Sequence, residues 1–223
     1  MTDVHTRVFK ELSEFFSEPL EFTKWKCNQK ASRVFEQWNM WNPKTESERK
    51  EFYLINPSNL YGTANWHSEG NAPQQRMAIA QSCHGKVLNF GCGIGTEGLY
   101  AAELGCVVDF YDVGVAAKFM EYRLKRSGLS SVKMVKTFDK YDTIVCIDVL
   151  EHLGDPYSVL YLFKDLLNED GILLVEAPFN EYDTPSHLAE HKDLNIINML
   201  KEVGIKRYKT NLLHRLPGGY ICG

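Results

Sequence analysis

Two short stretches of this chain concentrate side chains that can take, give or hold a proton. One is Asp148-Val-Leu-Glu151-His152, and the other runs from Asn180 to His187. Each follows an apolar run that reads as a buried strand, TIVCID and GILLVEA. Both stretches therefore fall just past strand ends, where layered α/β proteins bind their ligands. An imidazole titrates near neutrality, so His152 and His187 are the candidate general bases. Glu151 reads as a structural carboxylate, capping or bonding to nearby backbone. His187 and His191 are four apart, which on a helix puts both rings on one face. Their order, HLAEH, is not the HExxH of zinc enzymes and no third ligand stands out, so no metal is expected.

A third stretch, KVLNFGCGIGTEG, carries a different chemistry. An apolar strand runs into Gly91, Gly93 and Gly95 and then into a helix. Missing side chains let backbone approach a ligand, and the helix start offers free N–H groups. Gly93, Gly95 and Gly98 also satisfy GxGxxG, and Asp112 lies at about the right distance for the ribose of a dinucleotide. The loop alone leaves the kind of nucleotide open.

These stretches need elements to position them. From Lys86 onward, short apolar strands alternate with single helices. The helices include Ala116 to Arg126, one opened by Asp155-Pro156, and Lys192 to Val203, and a final strand pair begins at IKRYKT. That alternation predicts a mostly parallel sheet with right-handed crossovers. The region before it reads as helices. Val8, Leu12 and Phe15 keep helical spacing, as do Ala31, Val34, Phe35 and Trp38. Thr45 to Glu48 is a capping box, and a further helix is expected from Pro73. All four tryptophans lie in this first part. The expected division is a helical lid or substrate region over 1–82 and a nucleotide-binding domain over 83–223.

The succession from Gly85 to Gly204 resembles the class I S-adenosylmethionine-dependent methyltransferase family. The glycine loop, Asp112 ending the second strand, FDKYDTIVCIDVLEHLGDP and LLNEDGILLVEAPF carry the likeness, and IDVLEHL is its most specific piece. The resemblance implies a Rossmann-like, doubly wound α/β fold with an N-terminal helical extension, and S-adenosylmethionine as cofactor. It implies that Gly91, Gly93 and Gly95 line the methionine part and that Asp112 accepts from both ribose hydroxyls. Ile147 and Asp148 would flank the methyl-transfer centre. The family usually has an acid where Asn89 stands, to hold the cofactor's ammonium; an amide carbonyl still accepts a hydrogen bond, without the charge. Asp139 is the candidate acid on the adenine side.

Composition narrows the acceptor. A net charge of −4 gives no basic field for a phosphate backbone, so no nucleic-acid partner is expected. No apolar run reaches the length of a membrane span, and the first residues lack an apolar signal core. Six scattered cysteines without a CxxC pair suit reduced thiols and a cytoplasmic setting. The expected activity is methyl transfer to O, N or C of a small molecule. The alternatives are an NAD-dependent oxidoreductase, which leaves IDVLEHL unexplained, and an inactive cofactor-binding module, to which Asn89 points.

Overall fold

The computed structural model describes residues 4–179, 186–206 and 220–222. Six helices come first: α1 (Val4–Phe15), α2 (Leu20–Asn28), α3 (Lys30–Trp41), α4 (Glu46–Ile55), α5 (Ser58–Trp66) and α6 (Ala72–Ser82). The helical spacing of Val8 and Leu12 is used for packing, since both are buried in one cluster with Leu60, Tyr61 and Ala64 of α5. The capping box at the start of α4 forms as the sequence predicts. Glu48 N–H donates to Thr45 Oγ1 at 3.3 Å, and Thr45 N–H donates to Glu48 Oε2 at 2.9 Å. Such a cap contributes about 1 kcal/mol to its helix. It fixes where α4 begins, and so which face of α4 turns inward.

Strands and helices then alternate: β1 (Lys86–Phe90), α7 (Thr96–Glu103), β2 (Val107–Tyr111), α8 (Gly114–Ser127), β3 (Val132–Met134), β4 (Tyr141–Ile147), α9 (Pro156–Leu166), β5 (Leu167–Glu176), α10 (Ile196–Val203) and β6 (Tyr220–Cys222). The sheet order is β3-β2-β1-β4-β5-β6, with β1 to β5 parallel and β6 antiparallel to β5. This is the mostly parallel sheet that the alternation predicts, in the Rossmann-like arrangement that the resemblance implies. Val87, Leu88, Val108, Phe110, Ile144 and Val145 are all buried, as strands covered on both faces require.

Two boundaries differ from the sequence reading. The helix expected from Lys192 starts at Ile196, because the Asn195 side chain accepts from the N–H groups of Ile197 and Asn198 and so caps it there. Of the expected final strand pair, β6 is the member among the described residues, and residues 207–219 lie outside them.

The chain winds from β1 outward to β3, then crosses to β4 on the other side of β1. Strand order reverses at that point, and the carboxyl ends of β1 and β4 open a crevice. The N-terminal helices are fastened beside it. Arg123 of α8, fully buried, donates from Nε to Glu11 Oε2 of α1 at 2.6 Å and from Nη1 to the carbonyl of Ile94 in the glycine loop. Gly114 holds α8 against α4. A Cβ built there would sit 2.2 Å from the carbonyl oxygen of Leu54, and its φ of +58° suits only glycine well.

Candidate active site

A cavity of about 350 Å³ fills the crevice, a volume in the range of small-molecule sites. Gly91 and Gly93 line it from the loop after β1, Asp112 from the end of β2, and Ile147 and Asp148 from the end of β4. The Asp112 carboxylate shapes the loop: Oδ2 accepts from Gly93 N–H at 2.6 Å and Oδ1 from Val113 N–H at 2.7 Å. Burial raises its pKa, and these two donors oppose the rise. Each oxygen keeps lone-pair capacity for a further donor.

Asn89 stands in the middle of the sheet, opposite Phe110 of β2 and Val145 of β4. It also lines the cavity and is 3% exposed. Its Oδ1 is buried and accepts no hydrogen bond among the described residues. Leaving a buried carbonyl without a donor costs about 1–3 kcal/mol.

Below the mouth lies a charged network that sequence reasoning missed. Arg76 of α6, 3% exposed, donates to Glu97 Oε1 of α7 at 2.7 Å and reaches Asp148 Oδ2 at 3.4 Å. Its guanidinium lies over the Trp66 ring, 4.6 Å from the centroid. Burial alone would raise the Glu97 pKa, but the charge of Arg76 beside it, with His67, holds it below the usual carboxylate value. Asp148 has a φ of +56°, a region unfavourable to side chains other than glycine. Its backbone is held there by an N–H donated to the Glu176 carbonyl at 3.0 Å.

The opposite wall comes from the N-terminal helices. Glu46, Arg49, Lys50 and Tyr53 share one face of α4 and line the cavity, and Thr63 and Trp66 of α5 join them. His152 lines the same side, at the end of a 3-10 turn over Leu150–His152. Loss of surrounding water pushes its pKa down to about 4, against the carbonyl of Ser186 that favours the charged form, so the imidazole is neutral at pH 7. The His187 ring packs edge-on against it, with centroids 5.0 Å apart.

Of the residues singled out in the sequence, Asn89, Gly91, Gly93, Asp112, Ile147, Asp148 and His152 therefore meet around one cavity. Three do not line it. Gly95 lies behind the wall, where a Cβ would meet Met120 Sδ at 2.4 Å, and it serves the packing of α7 on α8. His187 stands behind His152. Asp139, the expected adenine-side acid, is exposed at the amino ends of the strands, away from the cavity, and pairs with Lys86 Nζ at 2.6 Å. His187 and His191 also fail to share a face, since Ala189–His191 is a 3-10 turn and His191 packs on Phe179. Residues 180–185 of the second polar stretch lie outside the described residues.

Comparison with known proteins agrees with the fold. A family model described as a methyltransferase domain matches residues 70–210. A ubiquinone biosynthesis O-methyltransferase from Glaesserella parasuis is 26% identical over 162 residues, 67% of this chain and 62% of the relative. One of the same name from Histophilus somni is 27% identical over 158 residues, 65% of this chain and 60% of the relative. The chain thus spans about 60% of the length of these curated relatives. A solved structure of phosphoethanolamine N-methyltransferase 2 from Haemonchus contortus, in complex with S-adenosyl-L-methionine, aligns with a TM-score of 0.57 at 16% identity, covering 71% of this chain and 44% of that one. The mitomycin 7-O-methyltransferase structure gives 0.57 at 12% identity, covering 83% and 59%. At these identities the structural likeness speaks for the fold.

Proposed function

The chain belongs to the class I S-adenosylmethionine-dependent methyltransferase family, and on that premise we propose that it transfers a methyl group from S-adenosylmethionine to a small-molecule acceptor. The observation that carries the reading is the meeting of Gly93, Asp112 and the unsatisfied Asn89 carbonyl around one cavity. S-adenosylmethionine supplies an electrophilic methyl on a sulfonium. Gly91 and Gly93 leave room for its amino-acid end, the Asn89 carbonyl accepts from its ammonium, and Asp112 accepts from its ribose hydroxyls. Ile147 and Asp148 flank the centre where the methyl is passed on. The family match disfavours the nicotinamide-dependent alternative, since it covers the glycine loop and IDVLEHL together.

Residues 1–82 form the acceptor-side region in this proposal, because α4 and α5 wall the cavity opposite the glycine loop. His152 faces that side with His187 behind it, and we assign both to catalysis. The ubiquinone-pathway name of the relatives and the apolar part of the wall suit an aromatic acceptor methylated on oxygen. No helix among the described residues is long and apolar enough to cross a membrane. Cys27, Cys83, Cys92, Cys106 and Cys146 are free thiols, which suits a reducing, cytoplasmic setting.

Calorimetric titration tests the cofactor site. Asp112→Ala is expected to weaken S-adenosylmethionine binding by about 1.5–3 kcal/mol, the range for lost hydrogen bonds to a charged group. Wild-type affinity in that variant would remove Asp112 from the site. Asn89→Asp restores a carboxylate under the ammonium, so S-adenosylmethionine should bind more tightly than to the parent. The same variant should melt at a lower temperature without ligand, because a buried carboxylate is then unpaired. A ligand-induced rise in melting temperature no larger than the parent's would place the ammonium elsewhere.

A further inference from the structure

The charges around the cavity are segregated by side. On the cofactor side three carboxylates, Asp112, Asp148 and Glu97, line it with one cation, Arg76. That sign suits S-adenosylmethionine, whose sulfonium and ammonium are positive. The opposite wall has the other sign. Arg49 and Lys50 of α4 both line the cavity, whereas Glu48 and Glu51 of the same helix do not. The Glu48 carboxylate is taken up by the cap, where it accepts from the N–H groups of Lys44 and Thr45. Glu46 is the acid on the cavity face of α4. It lies against Gly154, where a built Cβ would sit 3.2 Å from its Cδ.

Neither cation is occupied by the fold. Arg49, its side chain 19% exposed, comes within 3.5 Å of Glu190 Oε1, whose side chain is 55% exposed. A pair that long and that open contributes little. It steadies the guanidinium from one side and leaves most of its five N–H donors for a ligand. Lys50 makes no ion pair among the described residues. Tyr53 follows Arg49 by four residues and Lys50 by three, so it stands one turn, about 5.4 Å, further along the same wall. Its ring is 5.7 Å from that of His152. A group held by the two cations thus places the body of its molecule along Tyr53, toward His152.

We propose that Arg49 and Lys50 form an anion subsite, and that the acceptor carries a carboxylate or a phosphate monoester that binds there. The proposal rests on the methyl-transfer reading and deepens it by naming the charge of the acceptor. A guanidinium fork takes two oxygens of either group, and the ammonium adds a point charge beside it. Anchoring one end of the acceptor decides which atom faces the sulfonium, and such positioning lowers the barrier to an in-line displacement. The same pair rejects the wrong molecule. A cationic analogue would meet Arg49 and Lys50 on one side and the sulfonium on the other, with like charges on both.

The test uses the full chain saturated with S-adenosylhomocysteine and three ring probes: benzoate, phenyl phosphate and the neutral benzamide. Ligand-observed NMR titration gives their affinities. The better anion should bind at least about tenfold more tightly than benzamide, and which of the two it is tells carboxylate from phosphate. Lys50→Met and Arg49→Gln should each cut that preference about fivefold, and the double variant should erase it. Glu46→Gln should raise it, because it removes an opposing charge from the same face. A merely structural role for this face of α4 would not move the preference in opposite directions. S-adenosylmethionine affinity should stay at the parent value in every variant. Equal binding of benzamide and both anions, no binding of either anion, or an unchanged preference in the double variant would each overturn the subsite. A loss of S-adenosylmethionine affinity in Lys50→Met or Arg49→Gln would place these cations on the cofactor's own carboxylate and overturn it too. Failure of the parent to bind S-adenosylmethionine would instead overturn the methyl-transfer reading, so the two failures are separable.

Discussion

Arg76→Ala is expected to destabilise the protein by about 3–5 kcal/mol, the cost of removing one partner from a buried ion pair. Arg76 and Glu97 are 3% and 4% exposed, and their contact is 2.7 Å. Without the guanidinium, Glu97 keeps its burial and loses its main compensating charge. Asp148 loses its contact to α6 while its backbone remains in the left-handed region. Urea denaturation at neutral pH measures the loss directly. The pH dependence gives a second readout. In the parent the Glu97 pKa lies below its unfolded value, so this group's stabilisation is present above the unfolded pKa and is lost as pH falls through the folded one. In Arg76→Ala burial dominates and lifts the Glu97 pKa above the unfolded value. Its contribution then changes sign, and the variant gains relative stability as the pH is lowered through the carboxylate range. A stability difference that is small and independent of pH would show that the pair does not carry this role. Methionine at both positions should recover much of the loss, because it removes both buried charges at once.

The same network shows where sequence reasoning ends. The glycine loop, Asp112 and the strand-end position of Asp148 and His152 were legible because each is tied to a strand end, and strand ends are marked by a change from apolar to polar residues. Thr45 and Glu48 announced α4 for a similar reason, since a capping box is local chemistry. Arg76 carried no such mark. A charged residue within a helix usually faces water, and nothing near it in sequence reveals the two carboxylates that fold onto it. Asp139 is the opposite case. It lies between the third and fourth strands, as an adenine-side acid would, but it immediately precedes β4 and so sits at the amino ends of the strands, against Lys86 and away from the cavity. The polar stripe of Glu46, Arg49, Lys50 and Tyr53 was a usable signal left unread. Positions three, four and seven apart on a helix fall on one face, and Tyr53 in line with Glu46, Arg49 and Lys50, beside the buried Phe52, marks a polar face turned to a cavity rather than a core.

Gly93→Val is expected to bring the largest loss of cofactor affinity, at least about 100-fold, or about 2.7 kcal/mol. The geometry separates ligand space from protein space unusually well at this residue. A Cβ built on Gly93 meets no protein atom within 4 Å, yet the residue lines the cavity. The space is left for whatever Asp112 and Asn89 hold. Its φ is +52°, so any side chain there strains the backbone by about 1–2 kcal/mol, and a branched one by more. Gly93 N–H also donates to Asp112 Oδ2, so strain at the loop is passed to the ribose acceptor. Gly93→Ala separates the two effects: it carries the backbone strain with a smaller intrusion, and should lose less affinity than valine at similar stability. Gly91→Ala is the contrasting control. Its Cβ would meet Val149 Cγ2 at 2.4 Å, so it should melt at a lower temperature even without ligand, because the clash is with the protein itself. S-adenosylmethionine affinity measured by calorimetry, alongside melting temperatures of the free proteins, distinguishes these patterns. Parent-like affinity in a folded Gly93→Val protein would mean that the cofactor does not pass over this loop.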